Sequence, residues 1–393
     1  MKELRKSAVI ATIVGALALG QASAQTSSWN SRSEPGEPPA KATRPATAPT
    51  AKPDQPKTVQ PKAMAPAVAN PALTAKTPAP MPGRLETRSS PGFVKGPLPG
   101  AKESASVKAV GDDAAFIAFE NGQYLTALSL AEAAAAKGEP QAHTLIGRIH
   151  AEGMAVRRDP VAAARWYQKA AQLGDVEGAF SLGLMYAEGR GMQKDYAAAA
   201  DMFERAALKG HPHANYNLAQ LFLSGNGKPE NAYRGAQHLA YAAEKGIADA
   251  QFDLATLYLN GVGVPNDAYE ASRWLKRAAE QGMLEAQYDY AVLLLKGQGI
   301  NADMPKAVDY LKAAAEKGVP GAQNRLAHLY SEGITVDKNV KLAARWRLIA
   351  KASGFADEKL DQMVARMPAA DRRAAEEQAT AWLDRALLGQ GLP

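Results

Sequence analysis

Residues 246–263 read Gly246-Ile247-Ala248-Asp249-Ala250-Gln251-Phe252-Asp253-Leu254-Ala255-Thr256-Leu257-Tyr258-Leu259-Asn260-Gly261-Val262-Gly263. Ala250, Leu254, Leu257 and Tyr258 stand at i, i+4, i+7 and i+8, which places them on one face of a helix. Gly261 falls where a left-handed C-terminal cap is wanted. The loop that follows ends at Asp267, a residue suited to accept the orphan N–H groups of a new helix. That second helix buries Ala271, Trp274, Leu275, Ala278 and Ala279 and stops at Gly282. One stretch of 36 residues therefore encodes a helix, a turn and a second helix.

The unit recurs. Gly138, Gly174, Gly210, Gly246, Gly282, Gly318 and Gly354 are each separated by 36 residues. Gly153, Gly189, Gly225, Gly261, Gly297 and Gly333 follow the first six by 15, and Ala170, Ala206, Ala242, Ala278, Ala314 and Ala350 follow them by 32. Asp159, Asp195, Asn231, Asp303 and Asn339 match Asp267 as N-caps, and Pro160 sits where its missing donor costs nothing. Small residues recur nine after each marker glycine, at Gly147, Gly183, Ala219, Ala255, Ala291 and Ala327. Such side chains let two helix axes approach to about 8 Å, and Trp166, Trp274 and Trp346 are expected to fill the gaps beside them. A single helix pair cannot bury its own apolar face, so consecutive pairs must stack into an all-α solenoid.

The expected organisation has five parts. Residues 1–24 are a signal peptide, 25–111 a linker, 112–138 an N-terminal capping pair, 139–354 six repeats and 355–393 C-terminal capping helices. The repeats run 139–174, 175–210, 211–246, 247–282, 283–318 and 319–354. In the N-terminal cap Ala115, Phe116 and Phe119 mark a shortened first helix, and Ala127, Leu130, Ala134 and Ala135 the second. At the other end Leu360, Met363, Val364 and Met367 form one amphipathic helix. After Pro368, Ala375, Ala379, Trp382, Leu383 and Leu387 form another.

The N-terminus carries Lys2, Arg5 and Lys6, an apolar run from Ala8 to Leu19, and Ala22-Ser23-Ala24 before Gln25. This order is that of a secretory signal cleaved after Ala24. An uncleaved anchor is the other reading, although the run is short of the roughly 20 residues of a bilayer span. Export implies a periplasmic or secreted protein with no stable membrane span after cleavage. The chain has no cysteine, which suits an oxidising compartment and excludes a disulfide framework or a cysteine nucleophile.

Residues 25–111 hold sixteen of the 25 prolines and only two aromatics, Trp29 and Phe93. This composition buries too little apolar surface to offset ordering entropy, so disorder is expected. Twelve basic and five acidic groups in this segment account for the overall net charge of +6; residues 112–393 carry 31 basic and 34 acidic groups. A nucleic-acid footprint needs basic charge on the folded surface, so that ligand is excluded. The segment is either a plain spacer or a binder of anionic envelope polymer or of a proline-recognising domain.

The phrases Ala250 to Tyr258, Gly261-Val262-Gly263, Ala271 and Trp274-Leu275 up to Ala278-Ala279 resemble the Sel1-like repeat, a relative of the tetratricopeptide repeat. The resemblance covers about 112–354. It implies a right-handed α–α superhelix that scaffolds protein complexes. Exported bacterial members of the family imply roles in envelope signalling, secretion or assembly. The repeat implies no activity of its own.

Setting the consensus leucine of each first helix at the core turns the residues two before, two after and five after it to the opposite side. In the middle units these are Phe180, Leu184, Tyr216, Gln220, Leu223, Phe252, Thr256, Leu259, Tyr288, Val292 and Leu295. By resemblance, first helices line a concave surface. The stripe is then either a groove for an extended or helical segment of another protein, or packing between neighbouring units. No catalytic, metal or cofactor motif accompanies it. His211-Pro212-His213 lies in an interhelical turn without a cysteine or acidic ligand beside it. The Gly-x-Gly pairs follow helices and lack the lysine of a phosphate cradle. The chain reads as a non-enzymatic envelope scaffold that binds a protein. The alternative is a peptidoglycan- or polysaccharide-associated protein, with rings stacking on sugars.

Overall fold

A computed structural model describes residues 113–387. The signal-peptide and linker readings lie outside the described residues, as do residues 388–393. Sixteen α-helices and no strand occur among the described residues. A short α1 (Ala114–Glu120) precedes α2 (Tyr124–Ala136). Six pairs follow: α3 (Pro140–Glu152) with α4 (Pro160–Gln172), α5 (Val176–Glu188) with α6 (Tyr196–Leu208), and α7 (Pro212–Ser224) with α8 (Ala232–Glu244). Next come α9 (Ala248–Asn260) with α10 (Ala268–Glu280), α11 (Leu284–Lys296) with α12 (Met304–Glu316), and α13 (Pro320–Glu332) with α14 (Val340–Ala352). The chain closes with α15 (Glu358–Ala365) and α16 (Ala369–Leu387). Every helix of the six pairs has 13 residues.

The caps fall where the sequence puts them. Gly261 ends α9 at φ 67°, a left-handed conformation in which its N–H reaches the Leu257 carbonyl. Asp267 opens α10, and its carboxylate accepts from the N–H groups of Tyr269 and Glu270 at 2.9 and 3.0 Å. The corresponding Asp159, Asp195, Asn231, Asp303 and Asn339 cap their helices with the same side-chain acceptor. Each first helix packs on its own second helix, and each second helix packs on the next first helix. The alanines 32 residues after each marker glycine are fully buried at this double seam.

The small-residue column packs on the position 20 residues further along the chain. A Cβ on Gly147 would come 2.8 Å from the Tyr167 ring, and one on Gly183 would come 2.6 Å from Phe203. The later units carry Ala219, Ala255, Ala291 and Ala327 against Leu239, Leu275, Leu311 and Arg347 at the same two positions. Glycine thus goes with an aromatic ring, and alanine with leucine in three units and with Arg347 in the last. Close packing explains the pairing, since ring and Cβ compete for one volume. Trp274 and Trp346 are buried in the same core as Ala255 and Ala327; Trp166 lies beside His143, and Trp346 also meets Trp382 of the C-terminal cap.

The ends depart from expectation at two leucines, Leu130 and Leu387. In α2 the buried residues are Ala127 and Ala131; Leu130 is 38% exposed and Leu125 more so. The cause is α1, which has only 7 residues and leaves part of α2 uncovered. At the far end α16 packs on α14 and buries Ala375, Ala379 and Trp382, whereas Leu387 is exposed.

Candidate first-helix interface

The stripe of rings divides. Phe180 is 2% exposed and Tyr216 0%, and Leu184 is buried too. These three do not line an open groove; they are interior. Phe180 stacks on His211 of the next unit with ring centroids 4.4 Å apart. The Tyr216 hydroxyl donates to Asp253 of the next unit at 3.1 Å, and Gln220 Nε2 donates to the same oxygen at 2.7 Å. Leu223, Phe252, Thr256, Leu259, Tyr288, Val292 and Leu295 are half-buried, as is Gln220. Of these, Leu223, Phe252, Leu259, Tyr288 and Leu295 rest on the core with part of their surface open. Tyr288 leans across to the next unit, where a Cβ on Gly321 would meet its ring at 3.0 Å.

Polar members of the same column also bridge forward. Thr144 Oγ1 donates to Asp175 at 2.6 Å, and that carboxylate caps α5 by accepting from the Gly178 N–H. Asn324 Nδ2 donates to Asp357 at 2.8 Å, and His328 Nε2 lies 2.7 Å from the same oxygen. Burial pushes the Asp357 carboxyl up, but hydrogen bonds from the Leu360 N–H, Asn324 and His328 hold it below the ordinary range. The column is therefore the joint between units, and only its middle part opens outward.

His211 has a structural task. Its Nδ1 accepts from the Ala214 N–H at 3.0 Å, capping α7, which leaves Nε2 to donate to Glu177 at 3.1 Å.

Two elements escaped the sequence reading. Arg347 is 1% exposed. Its guanidinium makes a two-pronged pair with Asp361 at 2.8 and 3.1 Å and donates to Asn324 and the Phe355 carbonyl. A charge standing in a leucine column was the available signal. The second is the neighbouring pair Asp253 and Asp289, one unit apart in the same column. Asp253 is answered by Tyr216 and Gln220; Asp289 faces a unit that has Phe252 and Thr256 at those positions, and the Thr256 hydroxyl donates to the Phe252 carbonyl instead. Burial, with Glu285 adding to it, pushes Asp289 up to about 6.

An open cleft of 560 Å³ is lined by Tyr290, Leu294 and residues Ile300 to Lys306. Its only carboxylate, Asp303, is engaged as the N-cap of α12 through the Lys306 N–H at 3.1 Å. No helix among the described residues is long and apolar enough to cross a membrane.

This arrangement defines a solenoid of two-helix units with a partly open first-helix face. The Sel1 repeat family model matches residues 140–175, 176–211, 212–247, 248–283, 284–319 and 320–354, more than half of the chain. The chain belongs to the Sel1 repeat family. It is similar to a protective antigen present in uropathogenic Escherichia coli strains, which displays an SLR fold. The two share 29% identity at a TM-score of 0.62, over 70% of this chain and 60% of the antigen. This chain thus spans less than two thirds of that antigen's length. It is also similar to a Sel1 repeat protein from Oxalobacter formigenes, at 29% identity and a TM-score of 0.53, over 63% of this chain and 99% of that one. No curated relative matches the chain. Solenoids of this family are in general protein-interaction scaffolds without catalytic activity.

Proposed function

We propose that this protein is an exported, non-enzymatic scaffold of the bacterial cell envelope that binds another protein through its first-helix face. The observation that carries the reading is the half-open row of Phe252, Thr256, Leu259, Tyr288, Val292 and Leu295 on α9 and α11. Rings of this kind, each partly exposed on a rigid helix, supply the anchors that interfaces favour. The basic, apolar and small-residue order of the first 24 residues supports export.

The test is a pair of double variants assayed for capture of native envelope proteins after cross-linking. F252S/Y288S should stay folded and lose its partner; F180S/Y216S should lower the melting temperature because those rings are interior. Retention of the partner by a folded F252S/Y288S would remove the first-helix face from the account. The export reading is checked by the mass of the mature protein, which should begin at Gln25.

A second reading has its own observation. Tyr233 and Tyr269, one repeat apart at the starts of α8 and α10, are 63% and 58% exposed. Exposed rings in a row suit stacking on sugars. Sedimentation with purified cell wall in the absence of other proteins would favour a polysaccharide-associated role, and loss of that retention in Y233S/Y269S would place it.

A further inference from the structure

Asp253, Asp289 and Asp361 stand at one position of the 36-residue unit. Two of them show what a carboxylate there takes. Asp253 accepts from the Tyr216 hydroxyl at 3.1 Å and from Gln220 Nε2 at 2.7 Å. Asp361 accepts both prongs of the Arg347 guanidinium, at 2.8 and 3.1 Å. Asp289 has neither arrangement. The unit before it sets Phe252 and Thr256 where Tyr216 and Gln220 would be, and the Thr256 hydroxyl is turned to the Phe252 carbonyl at 3.1 Å. No hydrogen bond or ion pair reaches Asp289 among the described residues, and the charge acting on it is the like charge of Glu285. Burial pushes its carboxyl up to about 6, so at neutral pH it is still mostly ionised and has no counter-charge. A half-buried carboxylate in that state calls for a cationic donor.

The two helices select among donors. Together α9 and α11 carry Asp249, Asp253, Glu285 and Asp289 against one cation, Lys296, at the far end of α11. Their field therefore attracts positive charge. On the same helices Phe252, Tyr288 and Val292 are half-buried and leave apolar surface open. A lysine would meet the carboxylate as a point charge. An arginine offers it two parallel N–H groups, and offers a ring its flat, weakly hydrated face. The chain uses both properties itself. Arg347 forks onto Asp361, and the Arg234 guanidinium lies 4.4 Å from the centre of the Phe222 ring.

We propose that the acidic, ring-bearing face of α9 and α11 takes an arginine-bearing segment of another protein, with one guanidinium set against Asp289 beside the open rings of Phe252 and Tyr288. The partner thereby supplies the donors that Tyr216 and Gln220 give to Asp253. The inference rests on the reading of that face as a binding surface, and adds the chemical class of what binds there.

Fluorescence polarisation of labelled octa-arginine and octa-lysine, each titrated with the purified full-length protein, tests it. The two probes carry the same charge and differ in the fork and the flat face. Octa-arginine should bind about three- to fivefold more tightly than octa-lysine. D289N, which keeps the side chain's shape, should weaken octa-arginine about tenfold, the loss of one charge-assisted pair, and bring the two probes level. It should leave the melting temperature at neutral pH unchanged or higher, because it removes a charge that has no partner. D309N, on the exposed side of the second helix α12, should change neither affinity. Equal binding of the two probes to the unaltered protein, or an undiminished octa-arginine affinity in folded D289N, would overturn the proposal. A dimer in sedimentation equilibrium that F252S/Y288S dissolves would overturn it too, by assigning the face to a second copy. The capture assay separates this inference from the reading beneath it. A partner lost by F252S/Y288S and retained by D289N would keep the face and remove the arginine.

Discussion

Phe180 and Phe252 occupy the same place in units two apart, yet one is sealed and the other half open. The backbone around them repeats, so the difference lies in what the following unit offers. His211 gives Phe180 a ring to stack on at 4.4 Å; the corresponding residue after Phe252 is Met283. Tyr216 is likewise closed over by its bond to Asp253, whereas Asp289 finds no such donor in the unit before it. Repetition sets the register of the helices, and the neighbour one unit along decides whether a position becomes joint or surface.

The largest effect on this contrast is expected at the C-terminal joint, where the column is polar and Arg347 ties it together. R347A leaves Asp361 without its buried partner and should cost about 3–5 kcal/mol, read as a lower melting temperature and faster hydrogen exchange in α15 and α16. F180A should cost about 3–5 kcal/mol, as for a ring lost from a packed interior. F252A should cost less than half as much, and equal losses from the two would erase the distinction between joint and surface. G183A sets a Cβ 2.6 Å from Phe203 and should cost about 1–3 kcal/mol by overpacking. Adding F203L, which reproduces the alanine–leucine pairing of the later units, should recover most of it in a double-mutant cycle.

The acid response sharpens the same comparison. Hydrogen bonding to Arg347 and Lys351 holds Asp361 below the usual carboxylate range, and the Asp357 carboxyl is also depressed. Their stabilisation is complete above the unfolded carboxylate pKa of about 4 and is lost as pH falls through the lower folded values. Denaturant titrations should therefore show stability dropping below about pH 4, with a smaller drop in D361N. The smallest effect is expected at Thr335, a β-branched residue at φ 63°. Its counterpart Gly299 lies so close to the previous unit that a Cβ would come 2.3 Å from the Ala268 carbonyl. T335G should stabilise by about 0.5–1 kcal/mol, the relief of left-handed strain less the entropy of glycine.

The architecture was legible because six copies repeat each signal. Gly261, Asp267 and the alanines of the double seam act through local geometry, which a spacing reveals. Burial in the ring column was not legible, because it depends on a residue 31 to 37 positions away: His211 for Phe180, Asp253 for Tyr216. The glycine–aromatic pairing of Gly147 with Tyr167 and Gly183 with Phe203 was written in two columns that had to be read together. The burial of Arg347 is not legible either, because a charge in one copy of a helical repeat looks like a surface residue until its column is known to be core. At the N-terminal cap Leu130 sits in the column of Trp166, but the short α1 does not cover it.

The central claim is that each unit is completed by its neighbour. Hydrogen exchange on full-length F180A tests it most directly. The account predicts faster exchange in α7, whose His211 cap stacks on the missing ring, as well as in α5. Exchange that changes in α5 alone, with α7 as protected as before, would contradict it.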